Sequence, residues 1–137
     1  MFESEDLFIM RIEHIALWTS DLESAKDFFV EFFGGMPGNK YVNPKTNFHS
    51  YFLTFEDGAR LELMQIPDRS EKAPLNEQYW GYSHVAFSVG SEKAVDELTE
   101  KARQKGFKVV REPCRTGDGY YESCIQDADN NMIEITV

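Results

Sequence analysis

Residues 13–18 read EHIALW and residues 83–88 read SHVAFS, so a histidine stands at the same point of the same strand-like alternation twice in one chain. The segments after each histidine repeat their order of elements as well. A sequence that states one pattern twice is constrained to fold as two copies of one unit, and that duplication outranks any single motif.

In the first copy, RIEHIALW alternates as a half-buried strand, with Ile15 and Leu17 on one face and His14, Ala16 and Trp18 on the other. A helix is expected next. Ser20 with Glu23 fits a capping box, Leu22, Ala25, Phe29 and Phe32 recur at helical spacing, and Gly34-Gly35 supplies the stop. A weak strand near 38–43 and two stronger ones at 48–55 and 59–66 complete the unit, the last two separated by the hairpin signal Asp57-Gly58. In the second copy, GYSHVAFSV is a strand and Ser91 caps a helix carrying Ala94, Val95, Leu98 and Ala102. Gly106 ends that helix, and strands are predicted at 107–112, 119–126 and 131–137.

The organisation predicted is therefore a leader at 1–9, a first βαβββ module at 10–66, a linker at 67–80 and a second module at 81–137. The fold class is α+β, with two paired βαβββ modules. Each sheet has one face covered by its own helix, and an open amphipathic sheet of this size needs a second face to pack against. The 137 residues, 42% of them hydrophobic, suffice for a core without staples.

Charge and composition narrow the partners. A formal charge of −10 opposes binding to nucleic acid or anionic membrane, which draws its energy from clustered Lys and Arg. No apolar run approaches the length that spans a bilayer, and no basic-then-apolar leader opens the chain, so a cytoplasmic protein is expected. Cys114 and Cys124 have no CxxC spacing and are expected as reduced thiols.

Four residues stand out. His14 and Glu62 in the first module match His84 and Glu134 in the second at near-equal spacing, and alternation turns all four away from the helix-packing side. A carboxylate within LEL and another within IEI are costly to bury without a partner or a metal. Two histidines and two glutamates converging on one concavity would form an N₂O₂ site for a divalent transition ion, nickel, zinc and cobalt all being suited. His49 has no counterpart in the second module and is read as structural or surface. Arg60, Met64 and Tyr82 fall on the ligand-bearing face by parity and could line a pocket.

At these residues the sequence resembles the vicinal oxygen chelate superfamily, and within it glyoxalase I, the lactoylglutathione lyase. IEHIALWTSDLESAKDFF resembles the opening histidine strand and helix of that family, RLEL carries the first glutamate, GYSHVAFSV the second histidine and DADNNMIEI the closing glutamate. The resemblance implies the fold shared by glyoxalases, bleomycin resistance proteins and dihydroxybiphenyl dioxygenases. It implies one divalent metal per site, nickel or zinc with cobalt as an option, held by His14, Glu62, His84 and Glu134. It also implies a homodimer with shared sites, His14 and Glu62 of one chain facing His84 and Glu134 of the other.

The implied chemistry is stabilisation of an enediolate on a small carbonyl substrate, with Glu134 as general base and Glu62 as a second candidate. In glyoxalase I the substrate is the methylglyoxal–glutathione hemithioacetal. Many of its relatives place an arginine four residues past the first histidine to hold a glutathione carboxylate, whereas this chain has Trp18 there. Trp18, Arg60 and Tyr82 are the candidate substrate contacts, and Arg111 and Arg115 are candidate replacements for the missing arginine. Two other readings remain open: another reaction of the superfamily, such as epimerisation or thiol transfer, and a small-molecule-binding or resistance protein without catalysis.

Overall fold

A computed structural model of the chain describes residues 12–68, 83–116 and 119–137. The expected leader, most of the expected linker and Tyr82 lie outside the described residues. The first module runs β1 (His14–Trp18), α1 (Leu22–Phe33), β2 (Met36–Pro37), β3 (Tyr41–Asn43), β4 (Phe48–Thr54) and β5 (Arg60–Gln65). The second runs β6 (His84–Ser88), α2 (Glu92–Gln104), β7 (Val109–Arg115), β8 (Tyr121–Gln126) and β9 (Met132–Thr136). This is the α+β architecture of two modules, each a mixed sheet with one helix.

The two sheets are ordered alike. One is β1-β5-β4-β2 with β3 also on β4, the other β6-β9-β8-β7. In each, the histidine strand pairs in parallel with the glutamate strand and forms one edge of its sheet. The single weak strand expected near 38–43 is instead two short pieces, β2 and β3, both antiparallel to β4. Pro37 limits the first of these, since proline cannot donate to a ladder.

Local chemistry explains the ends of the elements. Gly34 takes the left-handed conformation (φ 69°) that ends α1, and Gly58 does so (φ 82°) in the turn before β5. The N-cap of α1 is Asp21, whose side chain accepts a hydrogen bond from the Ser24 amide at 3.1 Å, and not Ser20. Ser20 is drawn elsewhere: its amide and its Oγ donate to Asp129 in the turn between β8 and β9, at 2.8 and 2.5 Å. Glu23, the other half of the expected capping box, accepts from the Tyr51 hydroxyl at 3.0 Å. Ser91 caps α2 as expected, accepting from the Ala94 amide.

Within one chain the modules join through their helix-bearing sides. Leu22, Phe28, Phe29 and Phe32 of α1 share one core with Leu53, Leu61, Leu63, Val95, Ala102, Ile125, Ile133 and Ile135. The Phe33 ring of α1 stacks on Phe87 of β6 at 4.1 Å, and Phe28 meets Phe107 at 4.7 Å. Lys101 of α2 and Lys105 at its C-cap reach Glu31 of α1. The expectation that the two open sheet faces pack on each other is not met inside the chain, because burying these phenylalanines uses the opposite faces. Among the described residues no helix is long and apolar enough to cross a membrane.

Candidate metal centre in two halves

Each open sheet face presents a histidine beside a glutamate. In β1 and β5, Ala16 stands opposite Glu62 and His14 lies one same-face position earlier; in β6 and β9, Ala86 stands opposite Glu134 with His84 one position earlier. The register is the same in both modules. A small side chain opposite each carboxylate lets the histidine lean across toward it. His14 Nε2 lies 3.8 Å from Glu62 Oε1, and His84 Nε2 lies 3.2 Å from Glu134 Oε1.

The other ring nitrogen is occupied in both. Nδ1 of His14 lies 3.2 Å from Glu13 Oε1, and Nδ1 of His84 lies 3.0 Å from Ser83 Oγ. A hydrogen bond at Nδ1 fixes which nitrogen is offered outward, the arrangement typical of metal-binding histidines. The histidine side chains are 43% and 39% exposed, whereas Glu62 and Glu134 are 15% and 19% exposed, so the pairs sit at the surface with their carboxylates recessed.

The chain brings the four expected ligands together as two pairs and not as one cluster. Among the described residues no three His, Cys, Asp or Glu side chains lie close enough to hold one ion. Each pair supplies one nitrogen and one oxygen, fewer than the four donors a zinc-like ion takes. The donor chemistry fits a divalent transition ion when two halves meet. The cleft of about 800 Å³ between the modules is a different place, lined by Ile15, Phe33, Phe55, Val85 and Phe87 and by none of the four.

The neighbours of the two pairs differ. Arg60 is bound by Glu13, with Nη2 at 2.6 Å from Oε1, and its guanidinium lies over the Phe52 ring at 4.0 Å. The hydrogen bond from Arg60 is the main cause that lowers the Glu13 carboxyl from its ordinary value, and Glu13 in turn holds His14. Phe52 also meets the His14 ring edge-on at 5.4 Å. Trp18, on the same face, is 48% exposed and packs edge-on against Phe48 at 6.2 Å.

In the second module the surroundings are ionic. Arg111 of β7 faces this site: its Nη2 lies 2.5 Å from Glu122 Oε2 and 3.6 Å from Glu134 Oε2. Arg115 does not, pairing with Glu92 of α2. Glu122 and Cys124 share the open face with Glu134, Cys124 directly opposite it, and burial pushes the Cys124 thiol up. Sequence parity exposes Glu122 in YESCIQ, but β7 has register shifts on both sides of Arg111, which hide the direction of its side chain. His49 lies away from these pairs, its Nε2 3.0 Å from Asn47 Oδ1.

Two βαβββ modules with a His–Glu pair at the same register of each define a duplicated α+β protein with paired, matching surface sites. Residues 11–135 match the Glyoxalase/Bleomycin resistance protein/Dioxygenase superfamily, and the chain belongs to that superfamily. Among curated proteins, Bacillus subtilis YwkD, itself uncharacterized, is 32% identical over 111 residues, covering 80% of this chain and 81% of its own. Glyoxalase I from Zea mays is 25% identical with a TM-score of 0.73, over 92% of this chain and 44% of the maize chain. A glyoxylase/bleomycin resistance protein/dioxygenase domain from Frankia sp. EAN1pec shares the fold, with a TM-score of 0.79 at 18% identity over 95% of this chain and 98% of that one.

Proposed function

We propose that the protein is a divalent-metal lyase or isomerase of the glyoxalase type whose centre is completed between two copies, His14 and Glu62 of one facing His84 and Glu134 of the other. The observation that carries this reading is the pair of exposed His–Glu half-sites in one register, each with half the donors an ion requires. Nickel, zinc and cobalt all suit the set. The kinship with maize glyoxalase I supports the reaction type.

When bound, the ion held by His14, Glu62, His84 and Glu134 would supply Lewis acidity toward the substrate carbonyl. Glu134 takes the proton from the carbon beside the carbonyl and returns it to the adjacent carbon, with Glu62 as the second candidate for that step. Ser83 and Glu13 keep Nε2 of each histidine turned to the centre. Trp18, Phe48 and Phe52 give one wall of the site an aromatic surface, so the substrate carries an apolar group there. That wall favours a carbonyl compound other than the glutathione adduct, in which a charged carboxylate would face Trp18. Both cysteines are free thiols, in keeping with a cytoplasmic protein.

Elemental analysis of the purified protein tests the reading, followed by an assay of the metal-loaded protein with methylglyoxal and glutathione. One ion per chain supports the centre, and absence of metal with no uptake on titration overturns it. Turnover of the glutathione adduct would overturn the preference for an apolar substrate group alone.

A further inference from the structure

The repeat that builds the two half-sites is broken at one place. Glu134 has Cys124 opposite it on β8 and Glu122 two positions away, whereas Glu62 has Phe52 and Ser50 at the matching places on β4. Glu122 is only 8% exposed, and a carboxylate so enclosed needs a cation. Arg111 supplies it, and the same Nη2 is also 3.6 Å from Glu134 Oε2. The other oxygen of Glu134, Oε1, faces Nε2 of His84 at 3.2 Å.

Four side chains thus form a line from Glu122 through Arg111 and Glu134 to His84. The two oxygens of Glu134 are assigned opposite duties by it. In the first module the Arg60 guanidinium is taken by the exposed Glu13 and lies over the Phe52 ring, and among the described residues no enclosed carboxylate–arginine pair stands behind Glu62.

We propose that Arg111 is a positioning residue, anchored by Glu122, that fixes the plane of the Glu134 carboxylate and so presents Oε1 beside His84 as a preset half-site. This rests on the metal-centre reading above. The second module then carries the rigid half of the centre and the first the adjustable half. Partners standing behind a metal ligand commonly change metal affinity by about 10- to 100-fold when removed.

The test is binding of cobalt(II) alone to the full chain, followed by chelator competition and by the visible ligand-field spectrum. Arg111→Met with Glu122→Gln removes both charges together, avoiding an enclosed unpaired carboxylate. The double variant is expected to bind cobalt at least roughly tenfold more weakly, with an altered spectrum, while its thermal unfolding without metal stays close to that of the parent. Arg111→Lys, which keeps the charge, is expected to recover part of the affinity. A double variant with cobalt affinity and spectrum unchanged overturns the proposal and leaves the metal centre standing. So does an Arg111→Lys variant as impaired as the double variant when both are folded. A parent protein that takes up no cobalt overturns the centre itself, and this role with it.

Discussion

Asp129 of the second module accepts hydrogen bonds from the amide and the hydroxyl of Ser20 in the first, and a third at 2.5 Å from the hydroxyl of Thr19. The turn between β8 and β9 is thereby clamped to the start of α1, across the boundary between the modules. Asp129 is 8% exposed, so its charge is held by these donors. Asp129→Ala strands them, and a loss of about 3 kcal/mol is expected from charge-assisted bonds of this kind. Asp129→Asn, which keeps an acceptor, is expected to lose about 1 kcal/mol. Urea unfolding of the two variants decides it: equal losses would mean the clamp is not ionic.

Asp127, in the same turn, behaves oppositely. Burial is the main cause that pushes its carboxyl above the ordinary value of 3.8, although the Asn131 side chain and the amides of Asp129 and Asn131 donate to it. A raised pKa means that the ionised form is less favourable in the folded chain than in the unfolded one. Below 3.8 both states are protonated and the group contributes nothing. As pH climbs through 3.8 the unfolded chain ionises first, so the folded state loses stability until the pH passes the raised value. Asp127→Asn is therefore expected to match the parent in acid and to become relatively more stable toward neutral pH. Denaturant midpoints measured across that range check it, and an advantage that shrinks as pH rises would refute it.

A centre shared between copies can be tested by complementation. His14→Ala and His84→Ala are each expected to lose metal and activity. A heterodimer of the two has one doubly damaged centre and one built wholly from intact halves. Statistical exchange of subunits in an equal mixture makes half the dimers mixed, so roughly a quarter of the parental activity should return. No recovery after unfolding and refolding the two together would refute a centre shared between copies.

By the resemblance to glyoxalase I drawn from the sequence, Trp18 stands at the position expected to carry an arginine for a glutathione carboxylate. Trp18→Arg is expected to lower KM for the methylglyoxal–glutathione hemithioacetal by about tenfold, the worth of one charge-assisted contact, with kcat little changed. Comparing KM and kcat for the two proteins checks it. An unchanged KM would show that this position does not meet that part of the substrate.

Much of the fold could be read from the chain because its signals are local. The strand parity around His14 and His84, and around Glu62 and Glu134, fixes which face each side chain takes, and one helix behind each strand follows from capping and periodicity. The features that escaped depend on distant partners. Ser20 has the right chemistry for an N-cap, but its actual partner is Asp129 at the far end of the sequence, and Asp21 caps in its place. Arg111 is a candidate carboxylate contact in the sequence, but its pairing with Glu122 and Glu134 is not legible there, because β7 slips register on either side of it and counting residues no longer tells which way a side chain points. That the helix-bearing sides meet within the chain was also hidden, since both sides of each sheet carry apolar residues and the choice rests on how Phe33 and Phe28 fit Phe87 and Phe107.

The outward placement of the two His–Glu pairs has a consequence for how such a protein responds to its own abundance. If each pair is half a centre, then diluting the chain below its dimerisation constant abolishes both centres together, and activity per chain climbs with concentration until pairing saturates. A metal added to dilute protein would act as a coupling agent between subunits, since binding it and joining two chains become one equilibrium.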